Sequence, residues 1–360
     1  MIILCEAKNR AKIPEDSVHA PIWAENSDSE KLPFGRKGGL ICGNTMNKID
    51  HYLHAGTRDN TRTSYQSAVR HYEVEWGGFL PATADNIARY LADHAETLSL
   101  NTLRQRLAAL AQWHLDQGFP DPTRTPLVRK VFKGIQTEHP AQEKRAKPFQ
   151  LTQLQQVDRW LGQAIAVAQA ARDRAAELRH TRNRALLLLA FWRGFRGDEI
   201  TRLQVEYVQV APGEGMSCFL PRTKGDRQMK GATFKAPALS QLCPVTAYIA
   251  WVELAGLEAG PVFRAVDRWG HVGNTGLHID SLVPLLREVL TQAGIESAAL
   301  YSGHSLRRGF ANWATGNGWD LKTLMEYVGW RSVQSALRYV ESADPFTQLR
   351  IESALPVITS

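Results

Sequence analysis

The chain has 360 residues, enough for two domains of ordinary size with a sizeable core in each. Hydrophobic residues make up 44% and charged residues 22% of the sequence, values that exclude a disordered, collagen-like or coiled-coil chain. The formal net charge of +7 favours polyanionic partners, although basic composition alone does not identify one.

Neither a membrane span nor a signal peptide is predicted. The longest apolar run, residues 185–192, has eight residues, whereas a span needs about 18 or more. The first ten residues already contain Glu6, Lys8 and Arg10. The four cysteines are widely spaced and form no CxxC motif. These features favour a reducing cytoplasm and no membrane partner.

The first part of the chain is predicted to contain an extension and a helical domain. Residues 1–44 carry prolines, glycines and scattered charge without a sustained period, and we assign no function to them. Residues 45–136 show helical patterns and predict a bundle of four or five helices without a sheet. One apolar stripe runs from Leu100 to His114, whereas Arg104 and Arg106 lie off it and are predicted to be exposed.

A basic segment separates this domain from the rest of the chain. Six lysines and arginines lie within residues 129–147, and Pro148 follows. We predict a linker over residues 137–148. Two interpretations remain open, a solvated tether and a strap that follows DNA phosphates.

The second domain is predicted over residues 149–360, mainly α with a small antiparallel sheet. The helical pattern continues to about Arg193. Three short β-prone runs, at 205–210, 217–220 and 232–235, are separated by turn residues. Helical patterns resume at 244–255, 281–293, 304–315 and 321–328.

Chemically active residues are concentrated in the last third of the chain. His304 and Arg307 are three residues apart, so on a helix they share one face and can contact one phosphate. Trp330 follows in Val-Gly-Trp, and Tyr339 lies nine residues further on. Upstream, Arg196 lies in the segment Gly-Phe-Arg-Gly-Asp-Glu, and Lys224 lies in a turn between two predicted strands. An isolated His-x-x-Arg would be a weak signal.

This order and spacing resemble the tyrosine recombinase (phage integrase) family. The signature of that family is an arginine in a GxRxxE-like turn, a hairpin lysine, HxxR, and a His or Trp nine residues before a nucleophilic tyrosine. The matching catalytic residues are Arg196, Lys224, His304, Arg307, Trp330 and Tyr339, with Glu199 as an acidic companion. The resemblance covers about residues 45–352 and is greatest to the Cre-like branch. Arg308, where many members have histidine, and the N-terminal extension depart from the pattern.

The resemblance implies a helical core-binding domain and an α/β catalytic domain that clamp duplex DNA. It implies cleavage through a 3′-phosphotyrosyl intermediate, strand exchange through a Holliday junction, and a homotetramer assembled on a specific target site. It allows for accessory DNA-bending proteins, and it implies a cytoplasmic, nucleoid-associated protein of bacterial or phage origin. The segment after Tyr339 packs either on its own chain or on a neighbouring protomer.

The chemistry of the side chains agrees with these roles. Arg196 and Arg307 can bind phosphoryl oxygens bidentately, so neither a metal nor another cofactor is expected. Lys224 can protonate the leaving oxygen, although Arg222 and Lys230 share its hairpin. Trp330 can supply only an N–H and packing, which suggests positioning. Glu199 is expected to orient or neutralise an arginine.

Several alternatives remain open at this stage. Considered singly, His304 would be an interior histidine and Arg307 a surface ion pair. His271 and His278 are interpreted as loop residues and not as metal ligands. The predicted DNA-binding residues are Arg62, Arg104, Arg106, Lys144, Arg145 and Lys147. The rival functions are a type IB topoisomerase-like DNA-relaxing enzyme and a non-catalytic DNA-binding relative.

Overall fold

The computed structural model describes residues 56, 59–140, 146–211, 213–223 and 230–340. Contacts between Cα atoms divide the chain into two compact units, residues 1–141 and 142–360. This division falls within the predicted linker, whereas the predicted extension at 1–44 lies outside the described residues. Across the described ranges, no helix is both long and apolar enough to cross a membrane.

The described part of the first unit is helical. Its helices are α1 (Asp59–Arg70), α2 (Ala84–Asp93), α3 (Leu100–Asp116) and α4 (Pro126–Glu138), with a π-helical turn at His71–Glu75 and a 3-10 turn at Pro122–Arg124. Thr83 and Ser99 cap α2 and α3, because their hydroxyls accept hydrogen bonds from the backbone N–H of Asn86 and Thr102. The described residues 59–140 contain no strand, as the sequence pattern predicts.

His114 belongs to the core of this unit. Its side chain is fully buried. The Nε2 atom accepts a hydrogen bond of 2.8 Å from the N–H of Ala82, and Nδ1 lies 2.7 Å from the carbonyl oxygen of Leu110. These two partners require a neutral imidazole with its proton on Nδ1, so this histidine ties α3 to the segment before α2.

The predicted linker differs from the structure at its beginning. Helix α4 continues to Glu138, and three of the six basic residues (Arg129, Lys130 and Lys133) lie on this helix. The reason is the apolar spacing from Val128 to Ile135, which buries one face of the helix after Pro126 starts its first turn. The basic segment is therefore helical in its first half.

The second unit begins with two long helices and a three-stranded sheet. Its first elements are α5 (Leu151–Ala171), α6 (Arg174–Trp192), α7 (Gly197–Thr201), β1 (Val208–Ala211), β2 (Gly215–Leu220) and β3 (Ala232–Pro237). The strands pair antiparallel in the order β1-β2-β3, with Cys218 opposite Val208 on one side and Phe234 on the other. Residues 205–207, predicted to belong to the first strand, form a 3-10 turn.

Five further helices and a second hairpin follow in the described part of this unit. They are α8 (Pro244–Ala255), β4 (Arg264–Val266), β5 (Val272–Gly276), α9 (Leu282–Gln292), α10 (Ser305–Gly316), α11 (Leu321–Val328) and α12 (Val333–Leu337). Sequence patterns did not predict the β4–β5 hairpin, because β4 has only three residues and β5 contains two glycines. The predicted fold class, mainly α with small antiparallel sheets, is confirmed.

Helix α6 lies at the centre of the second unit. The apolar run 185–192 is buried on every side of this helix, and α6 packs against α5, α8 and α10. The segment before α5 is also joined to α10, because the backbone N–H of Phe149 donates to the carbonyl of Ser305 at 3.0 Å. A Cβ on Gly309 would lie 1.6 Å from the carbonyl oxygen of Phe149, so only glycine permits this approach. These contacts fix the ends of α6 and α10, where the predicted site residues lie.

Candidate active site

Arg196 and Glu199 lie in the turn that follows α6. Gly194 has a φ of +55°, which allows the chain to reverse direction, and α7 starts at Gly197. The carboxylate of Glu199, 1% exposed, accepts a hydrogen bond of 2.8 Å from the N–H of Arg196 and another from its Nη1. Glu199 thus fixes the guanidinium of Arg196, whose side chain remains 21% exposed.

Arg307 is fully buried on the first turn of α10. Its Nη1 donates to the carbonyl of Gly194 at 2.7 Å and lies 3.4 Å from the Glu199 carboxylate. Its Nη2 donates to the carbonyl of Val328 at 3.4 Å. Burial, with a smaller contribution from Arg196, lowers the pKa of Arg307 to about 10, so the guanidinium stays protonated at neutral pH. The surface ion-pair interpretation of Arg307 is wrong, because this side chain is part of the core.

Tyr339 follows α12, and its side chain lies close to three other predicted site residues. The phenolic oxygen is 3.0 Å from Nδ1 of His304. The ring is stacked on the indole of Trp330, with centroids 5.2 Å apart and planes at 29°. The guanidinium carbon of Arg307 lies 5.6 Å from the Tyr339 ring centroid. His304 is exposed at the start of α10, so the interior-histidine interpretation is wrong.

The turn at the end of α11 positions Trp330. Gly329 has a φ of +75°, and a Cβ there would lie 2.9 Å from a ring carbon of Phe234. The N–H of Trp330 donates to the carbonyl of Met325 at 2.8 Å, which closes the turn. The indole is 5% exposed, and its Nε1 has no hydrogen-bond partner among the described residues. A buried N–H of this kind is suited to a ligand oxygen.

The structure brings five of the six predicted catalytic residues, together with Glu199, into one place. The sixth, Lys224, lies outside the described residues and falls in sequence between β2 and β3. The 3.0 Å contact and the buried arginine are compatible with attack by a phenol on a phosphodiester. Of the described residues, no group of three or more His, Cys, Asp and Glu side chains could hold a metal ion.

The predicted DNA-binding residues occur in different environments. Lys144 and Arg145 lie outside the described residues. The ammonium of Lys147 lies 5.5 Å from the ring centroid of Tyr301. On α3, Arg104 is exposed, as predicted, and lies over the ring of Phe132 at 5.5 Å.

The remaining two predicted DNA-binding residues are only partly exposed. Arg62 is half-buried on α1. Arg106 is also half-buried, and its Nη1 donates to the carbonyl of Ser67 at 3.0 Å. The expectation that Arg106 is a surface residue is therefore wrong, because its guanidinium joins α3 to α1.

One buried arginine beside the site was missed from the sequence. Arg193 is 2% exposed and lies between α6 and the end of α11. Its position in the sequence, directly after the apolar run 185–192 and before Gly194, could have indicated that it is buried. A cation at the end of a helix that is buried on every side cannot reach solvent easily.

The chain is similar to known integrases and recombinases. Residues 277–345 match the model of the phage integrase family. The chain is 27% identical over 315 residues to an integrase/recombinase XerD homologue of Selenomonas ruminantium, a match that covers 83% of this chain and 86% of that protein. It is 25% identical over 286 residues to recombinase Cre of Escherichia phage P1, covering 75% and 79% of the two chains.

Solved structures show the same fold. The Tn1549 transposon integrase, in complex with transposon right-end DNA, matches with a TM-score of 0.55 at 15% identity and covers 85% of this chain and 96% of its own. A lambda integrase dimer bound to a core site matches with a TM-score of 0.50 at 14% identity, over 81% and 93% of the two chains. The resemblance and the fold class predicted from the sequence are both confirmed.

Proposed function

Because the chain is homologous to the tyrosine recombinases and carries a phage integrase domain at residues 277–345, we propose that it is a site-specific recombinase acting on duplex DNA. In this function Tyr339 attacks the scissile phosphate. The bond from its phenolic oxygen to phosphorus forms as the bond from phosphorus to the 5′-oxygen breaks, which leaves a 3′-phosphotyrosyl link and a 5′-hydroxyl.

The contacts of the described residues support roles in proton transfer and charge stabilisation. His304 is within hydrogen-bond distance of the phenol, 3.0 Å, and can accept its proton as the new bond forms. Arg196 and Arg307 can bind the non-bridging oxygens, where negative charge develops. Glu199 binds both guanidinium groups, and its negative charge lowers the net positive charge of the site. Trp330 can donate its unpartnered Nε1 proton to a phosphate oxygen.

Strand exchange also requires protonation of the leaving group and a means of rejoining the strands. The 5′-oxygen needs a proton as it leaves, and Lys224 is the residue that we assign to this step. The phosphotyrosyl link conserves the energy of the phosphodiester bond, so rejoining to another strand needs no ATP and no cofactor. Exchange of two duplexes requires four such events, for which we propose a homotetramer on DNA and a Holliday junction intermediate. Such an enzyme works where the DNA is, in the cytoplasm.

The observation that carries the proposal is the convergence of Arg196, His304, Arg307, Trp330 and Tyr339 at one site. A DNA-binding protein without catalysis would need the positive charge but not a phenol 3.0 Å from an imidazole. The DNA sequence recognised and the direction of recombination can be found by sequencing the DNA that the purified protein binds and cleaves.

The test of function uses the full-length protein and a nicked suicide substrate that contains this sequence. A recombinase gives a covalent protein–DNA adduct and, with two intact sites, a Holliday junction. Relaxation of supercoils without sequence preference and without a junction would support the topoisomerase alternative. Sequence-specific binding without any adduct would contradict a catalytic role.

A further inference from the structure

Arg193 is a buried cation that the proposed chemistry does not use. It lies at the end of α6 with 2% of its surface exposed. The described residues include no carboxylate that forms an ion pair with it, and its Nε has no hydrogen-bond partner. Burying such a charge is costly in free energy, and the contacts that Arg193 makes must offset this cost.

Those contacts are with the end of α11. The Nη2 of Arg193 donates to the carbonyl of Tyr327. Its guanidinium carbon lies 3.9 Å from the Tyr327 ring centroid and 5.2 Å from that of Phe234. This combination of a planar stack and a directed hydrogen bond suits a guanidinium and not an ammonium.

Arg307 holds the same segment. Arg307 donates to the carbonyl of Val328, the residue after Tyr327, and to the carbonyl of Gly194, the residue after Arg193. Two arginines therefore hold two consecutive carbonyls of the turn that leads to Trp330. Phe234, which contacts Arg193, is also the residue that a Cβ on Gly329 would meet.

We propose that Arg193 is a positioning residue for DNA cleavage. It fixes the end of α11 so that the indole of Trp330 stays stacked on Tyr339. This inference rests on the proposed function, because it assigns Arg193 a role through Trp330 and Tyr339. Arg193 itself contacts neither DNA nor the reacting atoms.

The test compares two buried arginines, Arg193 directly after α6 and Arg182 within it. Arg193→Met keeps an unbranched side chain among the aromatic rings but removes the charge and the hydrogen bond to Tyr327. Arg182→Met is the matched control, because Arg182 is 6% exposed and donates to the carbonyl of Arg264 at 3.0 Å, at the β4–β5 hairpin. Both variants are expected to lower the Tm. The decisive readouts are the single-turnover cleavage rate at saturating nicked DNA and the Kd for that DNA.

Arg193→Met should slow cleavage by roughly tenfold to a hundredfold, the effect of a small misplacement of reacting groups, with less than about a threefold change in Kd. Arg182→Met should cleave at the wild-type rate below its Tm. In a Trp330→Ala background, Arg193→Met should change the rate less than about threefold, because the two residues act in series. A merely structural role would not produce this suppression.

The following results would contradict the positioning role or the proposed function. Wild-type cleavage by a folded Arg193→Met variant, or a full additional loss in the Trp330→Ala background, would overturn the positioning role. If Arg193→Met does not fold, Arg193→Lys is tested in its place. A slower cleavage rate, with the slowing absent in the Trp330→Ala background, would support the positioning role. A wild-type cleavage rate would refute it. If wild-type protein forms no adduct at all, the proposed function fails first, and the role of Arg193 fails with it.

Discussion

The phenolic oxygen of Tyr339 lies 3.0 Å from Nδ1 of His304, although 34 residues separate the two in sequence. The contact depends on two helix ends, since His304 precedes α10 and Tyr339 follows α12. An imidazole in this position can accept the proton of the phenol as it attacks.

Replacing His304 by Gln should preserve a hydrogen bond to Tyr339 but remove the titrating group. We expect single-turnover cleavage to slow by about a hundredfold or more, a usual effect of losing general acid–base catalysis, with little change in DNA affinity. His271→Gln is the control, because His271 is exposed and its Nδ1 contacts Asp267 in the β4–β5 turn. Equal rates for both variants would exclude His304 from proton transfer.

Arg196→Lys and Arg307→Lys should each reduce cleavage by orders of magnitude and binding much less, because a point charge replaces a bidentate fork. The two should differ in stability. Arg307→Lys leaves the carbonyls of Gly194 and Val328 without their buried donor, whereas Arg196 is partly exposed. Melting curves should show the larger loss for position 307. Near-normal cleavage by both variants would contradict their role on the phosphate.

Glu199→Gln should destabilise the second unit by about 3–5 kcal/mol, because it leaves two arginines without their shared buried carboxylate. The neighbouring Asp198→Asn is the matched control. Asp198 pairs with Arg202 at the surface, both 41% exposed, and its loss should cost less than about 1 kcal/mol. Urea denaturation of the two variants measures the difference, and equal losses would mean that Glu199 does not hold the arginines.

Substitutions of Trp330 should distinguish the contribution of its N–H to cleavage from the contribution of its packing. Trp330→Phe retains the stack on Tyr339 and loses the donor, Trp330→His retains a donor at smaller volume, and Trp330→Ala loses both. Suicide-substrate cleavage should be fastest for wild type, slower for His and Phe, and slowest for Ala, with no new pH dependence for Phe. A folded Trp330→Ala variant that cleaves at the wild-type rate would remove Trp330 from the site.

DNA binding should weaken steeply with salt, because a protein that neutralises several phosphates releases their counterions. Arg104 is exposed and should contribute to this slope, so Arg104→Ala should reduce it by about one. A flat plot of log K against log salt concentration would contradict the proposed contact with several phosphates. The measurement is a fluorescence titration over a range of potassium chloride concentrations.

Helices, motif and family could all be predicted from the sequence, because apolar periods and residue spacing are local properties. Burial of the arginines could not be predicted in this way. Nothing in the period of α10 indicates that Arg307 lies in the core with Gly194 and Val328, since these partners are distant in sequence. Arg106 was misjudged for the same reason, because its partner carbonyl belongs to another helix.

Peptide mapping of the covalent adduct identifies the nucleophile. Wild-type protein is incubated with a suicide substrate, the complex is digested with protease and nuclease, and the modified peptide is identified by mass spectrometry. We expect a nucleotide linked through its 3′-phosphate to Tyr339, and DNA binding without an adduct for Tyr339→Phe. An adduct on another residue, or one that persists in Tyr339→Phe, would contradict this expectation.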